Sequence, residues 1–272
     1  MALFNIIKAM VVRFILFCHT LLTIWRVAST YGDIYYLLTL ALIPYLIEGI
    51  YTVIRRKGIE WKWLCPCFVF YLLATLPSVW LLEIQRTKDF GNLNTTAVDE
   101  ISIIGLKIPI ALESDTWVLV LEESLLYCMI IGRWLLPRGK VSRGQLSELL
   151  FTFIGIASDI MELFELFEEE EVRGNMVLTI CLLGLWSWSL FQFTMVLTVA
   201  SKPIRINLIE QDNKLVCIEP NSKGGTSIEV FATLVSLFMQ DGPFLGLRLY
   251  TIIKYNIINY GLVFFTIKNV LI

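Results

Sequence analysis

The sequence predicts an all-α fold, a polytopic membrane helix bundle of about eight transmembrane helices. Three observations carry that expectation. The chain is 57% hydrophobic and 17% charged, whereas a soluble domain is usually about a quarter charged. Its mean hydropathy is +0.71. Its apolar residues fall in runs of roughly 20, the length that crosses a hydrocarbon core, and the charges gather between the runs. The 272 residues read as one multi-pass membrane domain. Its spans lie near 3–28, 34–54, 61–84, 117–136, 145–167, 175–199, 227–240 and 245–270. A net charge of −2 without a pooled basic face excludes a nucleic-acid partner. The lipid bilayer is the implied partner, with another membrane protein as a second.

The first run is too long for a cleaved signal peptide and is interrupted by Lys8, Arg13, His19 and Arg26. It reads as the first transmembrane helix. Lys8 and Arg26 are near its ends and can snorkel, while Arg13 and His19 are deeper. Pro44 is expected to kink the second span, because it removes a backbone donor. Trp61 and Trp63 open the third span as an interfacial belt. Cys65-Pro66-Cys67 has the wrong spacing for zinc and reads as small apolar residues around a proline. The loop after the third span holds Asn94-Thr95-Thr96, an N-glycosylation sequon. Residues 101–112 are too short and interrupted to span and read as a surface-lying segment.

The fourth span carries Glu122 and Glu123 near its start, at the headgroup level, and Arg133 near its other end, where it can snorkel. The fifth carries Asp159 and Glu162, with Glu148 on the face of Asp159. Its small-residue stretch Gly155-Ile156-Ala157-Ser158 would let another helix approach closely. Trp186-Ser187-Trp188-Ser189 in the sixth span reads as core. Residues 204–219 alternate apolar and polar around a polar turn, a β-hairpin-like pattern in a cytoplasmic loop. Asp241-Gly242-Pro243 breaks the pattern, with Asp241 as an N-cap of the last helix. The span count drops to seven if 228–240 is re-entrant.

A charge inside a membrane usually has a partner or a task. The polar residues of interest are therefore Arg13, His19, Asp159, Glu162, Arg133 and Asp241. By helical rise, Arg13 and His19 lie about 15 and 24 Å into the first helix, and Asp159 and Glu162 about 21 and 25 Å into the fifth. The matched depths predict that these two helices pack together, with Asp159 facing Arg13 or His19.

Several words of the sequence resemble the transmembrane protein 26 family. They include Arg13-Phe14 through His19, Trp25-Arg26-Val27 and Pro77-Ser78-Val79-Trp80-Leu81-Leu82-Glu83. The central block is Ile130-Ile131-Gly132-Arg133-Trp134-Leu135-Leu136-Pro137, Gln145-Leu146-Ser147 and Asp159-Ile160-Met161-Glu162. Trp186-Ser187-Trp188-Ser189, Gln192-Phe193, Gln240-Asp241-Gly242-Pro243-Phe244-Leu245, Arg248-Leu249, Phe264-Phe265 and Lys268-Asn269 follow in order. The resemblance implies a multi-pass membrane protein and no particular reaction.

No catalytic motif is present. The chain has one histidine and lacks His-Glu-x-x-His, Gly-x-Ser-x-Gly and a phosphate-binding glycine loop. No cofactor or metal ligand set is read. The expected role is a non-enzymatic structural or regulatory membrane protein with buried charge pairs. The alternative is a channel or transporter that uses the intramembrane Arg, His, Asp and Glu. Basic loops at 55–62, 138–143 and 202–223 mark one side as cytoplasmic. The N-terminus then shares that side, and Asn94 falls on the other, as expected in the secretory pathway.

Overall fold

The computed structural model describes residues 2–61, 64–90, 112–136, 143–169, 174–195, 207–211, 214–218, 233–256 and 258–271, with short pieces at 98–99, 102–103, 106–107, 172 and 230. The sequon at Asn94, Trp63, the basic turn at Arg138 and Lys140, and the acids at 170–171 lie outside the described residues. So do the side chains of Gln145, Glu148 and Glu165.

Helix α1 (Ala2–Tyr31) shows why the bundle belongs in lipid. Ala9, Val12, Leu16, Ile24 and Val27 are buried along one face, yet Leu3, Phe4, Met10 and Phe14 are exposed on another. In water each such exposed side chain would forgo roughly 1.5–3 kcal/mol of burial. A hydrocarbon surround removes that penalty. The next segment repeats the pattern, with Ile34, Leu37, Leu40, Ile47, Ile50 and Ile54 exposed. Among the described residues four segments are long and apolar enough to cross a membrane: Leu3–Tyr31, Asp33–Arg56, Pro66–Asp89 and Met176–Thr194.

Pro44 does not sit mid-helix as expected. Residues Asp33–Ala41 form a 3-10 helix, and α2 runs from Leu42 to Arg56. Pro44 is therefore in the first turn of α2, where a missing N–H costs least. Lys57 (φ 54) and Gly58 (φ 78) reverse the chain. Helix α3 (Pro66–Phe90) starts at Pro66 rather than at Trp61. Trp61 instead lies 4.7 Å from the Arg56 guanidinium. Cys65 and Cys67 are fully buried, as small core residues. Helix α3 is central and packs on α1, α2, α4 (Ser114–Leu135) and α6 (Met176–Leu190). Helix α5 (Arg143–Glu168) packs on α4 and α6. A second 3-10 turn, Phe191–Thr194, ends α6.

The helices run alternately up and down. At one end Cys65 N–H bonds the Thr194 carbonyl at 2.8 Å and Arg133 bonds the Met195 carbonyl at 2.7 Å. At the other, Tyr31 bonds the Leu81 carbonyl, Asn175 bonds Tyr255, and Asn259 bonds Glu169. Outside the helices, Asn207–Gln211 pairs antiparallel with Lys214–Ile218. Within 98–113 two short ladders pair Val98–Asp99 with Leu112–Glu113 and Ser102–Ile103 with Leu106–Lys107.

The C-terminal third departs most from the predicted spans. Residues 233–236 are α-helical, Leu237–Asp241 form a π turn, and α7 (Gly242–Tyr255) continues without a break. Asp241 is thus inside a helical segment and caps nothing with its side chain. Asn256 (φ 55) ends α7 by returning its N–H to Ile252, an αL cap. Helix α8 (Tyr260–Leu271) is separate, so the single span predicted at 245–270 is two helices. Gly242 makes the π turn feasible. Its N–H bonds the Leu237 carbonyl, and an added Cβ would sit 2.9 Å from that oxygen. Gly242→Ala is expected to lose about 1–3 kcal/mol in a thermal or denaturant titration in micelles. Gly155→Ala is the control, because a Cβ there meets nothing, and should be neutral or mildly stabilising.

Candidate functional site

Among the described residues, two clusters of buried charge each tie three or more segments together. The first joins α1, α2 and the segment before α3. Arg13 Nη2 donates to Glu48 Oε1 at 2.9 Å and to Glu60 Oε1 at 2.7 Å. Its Nε reaches Glu48 Oε2 at 3.3 Å. The side chains of Arg13, Glu48 and Glu60 are 8%, 7% and 0% exposed. Thr52 donates to Glu48 at 2.7 Å, and Cys65 Sγ lies 3.5 Å from Glu60 Oε2. Gly49 leaves room for this, since a Cβ there would lie 3.3 Å from Arg13 Cδ. Beside it an open groove of about 550 Å³ runs between α1 and α2, lined almost wholly by apolar side chains.

The second cluster joins α5, α7, α8 and the π turn. Arg248 is fully buried. It donates from Nη2 to Asp159 Oδ1 at 3.0 Å, and from Nε to Glu162 Oε2 at 2.9 Å, with a further contact from Nη2 to Glu162. Lys268 Nζ lies 3.5 Å from Asp159 Oδ2. Gln240 Nε2 donates to the same oxygen at 2.8 Å and to the Ile156 carbonyl at 3.2 Å. Its own oxygen accepts from Gln192. Phe244 and Phe265 lie 5.5 and 5.3 Å from the Arg248 guanidinium. The π turn supplies the register. It adds one residue to a turn at Gln240 and Asp241, which are 2% and 3% exposed. Trp188 donates to the Phe238 carbonyl in the same turn.

The expected pairing of Asp159 with Arg13 or His19 does not form. Asp159 and Arg13 belong to different clusters, and each charge has nearer partners of opposite sign. His19 Nε2 faces the Leu121 carbonyl at 3.1 Å and the Ser124 hydroxyl at 2.9 Å, and its Nδ1 lies 2.8 Å from the Tyr71 hydroxyl, so both ring nitrogens have uncharged partners. Arg133 is fully buried near Phe68 and Phe153, with Nη2 on the Met195 carbonyl. Being buried on these partners, it does not snorkel. Glu122, expected at headgroup level, is 1% exposed beside Glu83 and Arg86. Glu83 and Arg86 pair at 3.4 Å. The Gly155 and Ser158 surface of α5 is exposed rather than packed. Trp186 is fully buried, edge-on to Phe164, whereas Trp188 is half exposed.

Sequence reasoning named Arg13, Asp159 and Glu162 but missed Glu48, Glu60, Arg248 and Lys268 as their partners; Asp241, also named, accepts from Ser236. The sequence did carry a signal for Glu48, an acid inside the second span as Arg13 is a base inside the first. Among the described residues no group of three or more His, Cys, Asp or Glu could hold a metal ion.

An apolar exterior, helices of spanning length and charges paired inside define a helical membrane protein. The family model for transmembrane protein 26 matches residues 3–272. The chain belongs to that family. No solved structure matches it.

Proposed function

We propose that this protein is a non-enzymatic structural or regulatory membrane protein, whose buried charge clusters fix which helices pack together. The observation that carries the reading is Arg248, which binds one carboxylate on each of two successive turns of α5. Such a tie is costly to desolvate and specifies a register. An enzymatic role finds no support in the sequence motifs. The bilayer is the proposed solvent, a second membrane protein the proposed partner, and nucleic acid is not one.

In this reading the segments alternate across the membrane. The stretch 233–255 is about 35 Å long, enough to cross. Helix α8 is about 18 Å long and returns part-way, bringing Lys268 level with Asp159. Seven crossings and one half-helix follow, in place of eight full spans. The N-terminus and the basic loops then face the cytoplasm, as does the hairpin at 207–218. Asn94 faces the lumen and carries a glycan. The measurement is a glycosidase-sensitive mass shift, expected to vanish in Asn94→Gln. A shift that persists in that variant, or lumenal protease access to the Arg138 loop, would contradict the orientation.

A second reading, a channel or transporter, is favoured by one feature. The π turn and the break at Asn256 interrupt helices beside a charged cluster, as the discontinuous helices of transporters do. A flux or current measurement on the purified protein in liposomes separates the two readings. Flux that Asp159→Asn abolishes would establish transport. Its absence in folded protein supports the structural role.

A further inference from the structure

The open groove between α1 and α2 is walled by Met10, Phe14 and Phe17 on one side and by Leu46, Ile50 and Ile54 on the other, around a volume of about 550 Å³. Gly49 lies among them and brings no side chain to fill it. Arg13 and Tyr45 also reach the groove, yet their polar atoms are already engaged. Arg13 is held by Glu48 and Glu60, and the Tyr45 hydroxyl donates to the Arg13 carbonyl at 2.8 Å. The walls therefore suit an apolar occupant and offer nothing to a polar one.

Length selects among apolar occupants. Met10 to Phe17 covers about 11 Å of helix axis, and Leu46 to Ile54 about 12 Å. One leaflet of the hydrocarbon core is about 15 Å deep, half of the whole. A partner transmembrane helix would lie along the full core, whereas an acyl chain stops at the midplane. The groove has the length of an acyl chain.

Charge at one end of the groove selects the headgroup. Ile54 is followed directly by Arg55, Arg56 and Lys57. Arg56 is occupied, with its guanidinium 4.7 Å from the Trp61 ring and its Nη2 donating to the Glu60 carbonyl at 3.5 Å. Arg55 and Lys57 are exposed, and among the described residues no carboxylate is within ion-pair distance of either. Lys57 stands one turn beyond Val53 and ends α2 in the left-handed conformation (φ 54). Trp61, half exposed, is a residue type that favours the headgroup level. An apolar slot one leaflet deep thus opens beside two cations that no protein group neutralises.

We propose that this groove binds one anionic phospholipid of the surrounding bilayer, with an acyl chain between α1 and α2 and the phosphate on Arg55 and Lys57. Basic residues beside a membrane helix attract anionic headgroups. A zwitterionic lipid carries its own ammonium and competes less well for the two cations. The site needs only the membrane-embedded bundle and stands whether the protein regulates or transports.

The experiment is native mass spectrometry of the full-length protein, released from micelles that hold phosphatidylglycerol and chain-deuterated phosphatidylcholine in equal amounts. The wild type is expected to keep one phosphatidylglycerol, preferred over phosphatidylcholine by roughly tenfold. Arg55→Gln with Lys57→Gln should keep a lipid but lose the preference. Ile50→Trp, which fills the groove from its wall, should keep neither lipid. All three changes are at exposed side chains, and an unchanged thermal midpoint in lipid-free micelles confirms folding. Should Ile50→Trp not fold, Leu46→Trp takes its place. Equal retention of the two lipids by the wild type overturns the proposal, as does a preference that survives in the Arg55 and Lys57 variant. Phosphatidylglycerol held as well by Ile50→Trp overturns it too, because the basic turn then acts without the groove. A protein dimer that Ile50→Trp dissolves would put a second copy of the chain in the groove and likewise overturn it.

Discussion

The C-terminal third of the bundle is expected to unfold far more readily in Arg248→Met than in the wild type. The guanidinium is fully buried and serves both Asp159 and Glu162. Methionine fills similar volume between Phe244 and Phe265 but offers no charge. Asp159 keeps Lys268 and Gln240, while Glu162 loses its bond to Arg248. Breaking a buried pair from one side costs about 3–5 kcal/mol, because the survivor stays desolvated. Adding Asp159→Asn and Glu162→Gln to Arg248→Met should recover part of that loss. Denaturant titration in mixed micelles, read by circular dichroism, measures both steps. If the triple variant is less stable than Arg248→Met alone, surviving charge is not the source of the damage.

The second large effect is at Arg13. One guanidinium meets two carboxylates that lie 12 residues apart in sequence, Glu48 and Glu60. Arg13→Met leaves both acids buried, with Thr52 and Cys65 as their remaining donors. A loss of about 3–5 kcal/mol is expected, and Arg13→Met with Glu60→Gln should be milder. Arg13→Lys should retain only part of the stability. A lysine ammonium is a point charge, whereas the planar fork reaches three carboxylate oxygens at once. A Lys variant as stable as wild type would show that charge alone, and not the fork, holds α1 to α2.

Much of this architecture is legible in the sequence. Long apolar runs and basic gaps marked the helices, because the bilayer demands both. The need for buried partners was also legible, since Arg13 and Asp159 sit deep in apolar segments. Which acid meets which base was not. Helical rise orders residues by depth but leaves the azimuth of each helix open, and helices one and five share a depth without sharing a cluster. Glu60 was hidden for another reason. It lies outside any helix and folds inward because the Lys57-Gly58 turn doubles back against Asn5. The π turn was invisible as well. A five-residue ring and an α turn have the same composition, and Asp241-Gly242-Pro243 reads as a helix start in either case. His19 was expected to face an acid, yet a carbonyl and two hydroxyls meet its ring instead.

The separation of the two clusters is tested most directly by a pair of double-mutant cycles on one protein. Asp159→Asn is combined first with Arg248→Met and then with Arg13→Met, and unfolding free energies are measured in the same micelles. The account predicts a coupling of about 1–3 kcal/mol for Asp159 with Arg248, and additivity within about 0.5 kcal/mol for Asp159 with Arg13. Coupling of Asp159 to Arg13, with additivity toward Arg248, would contradict it.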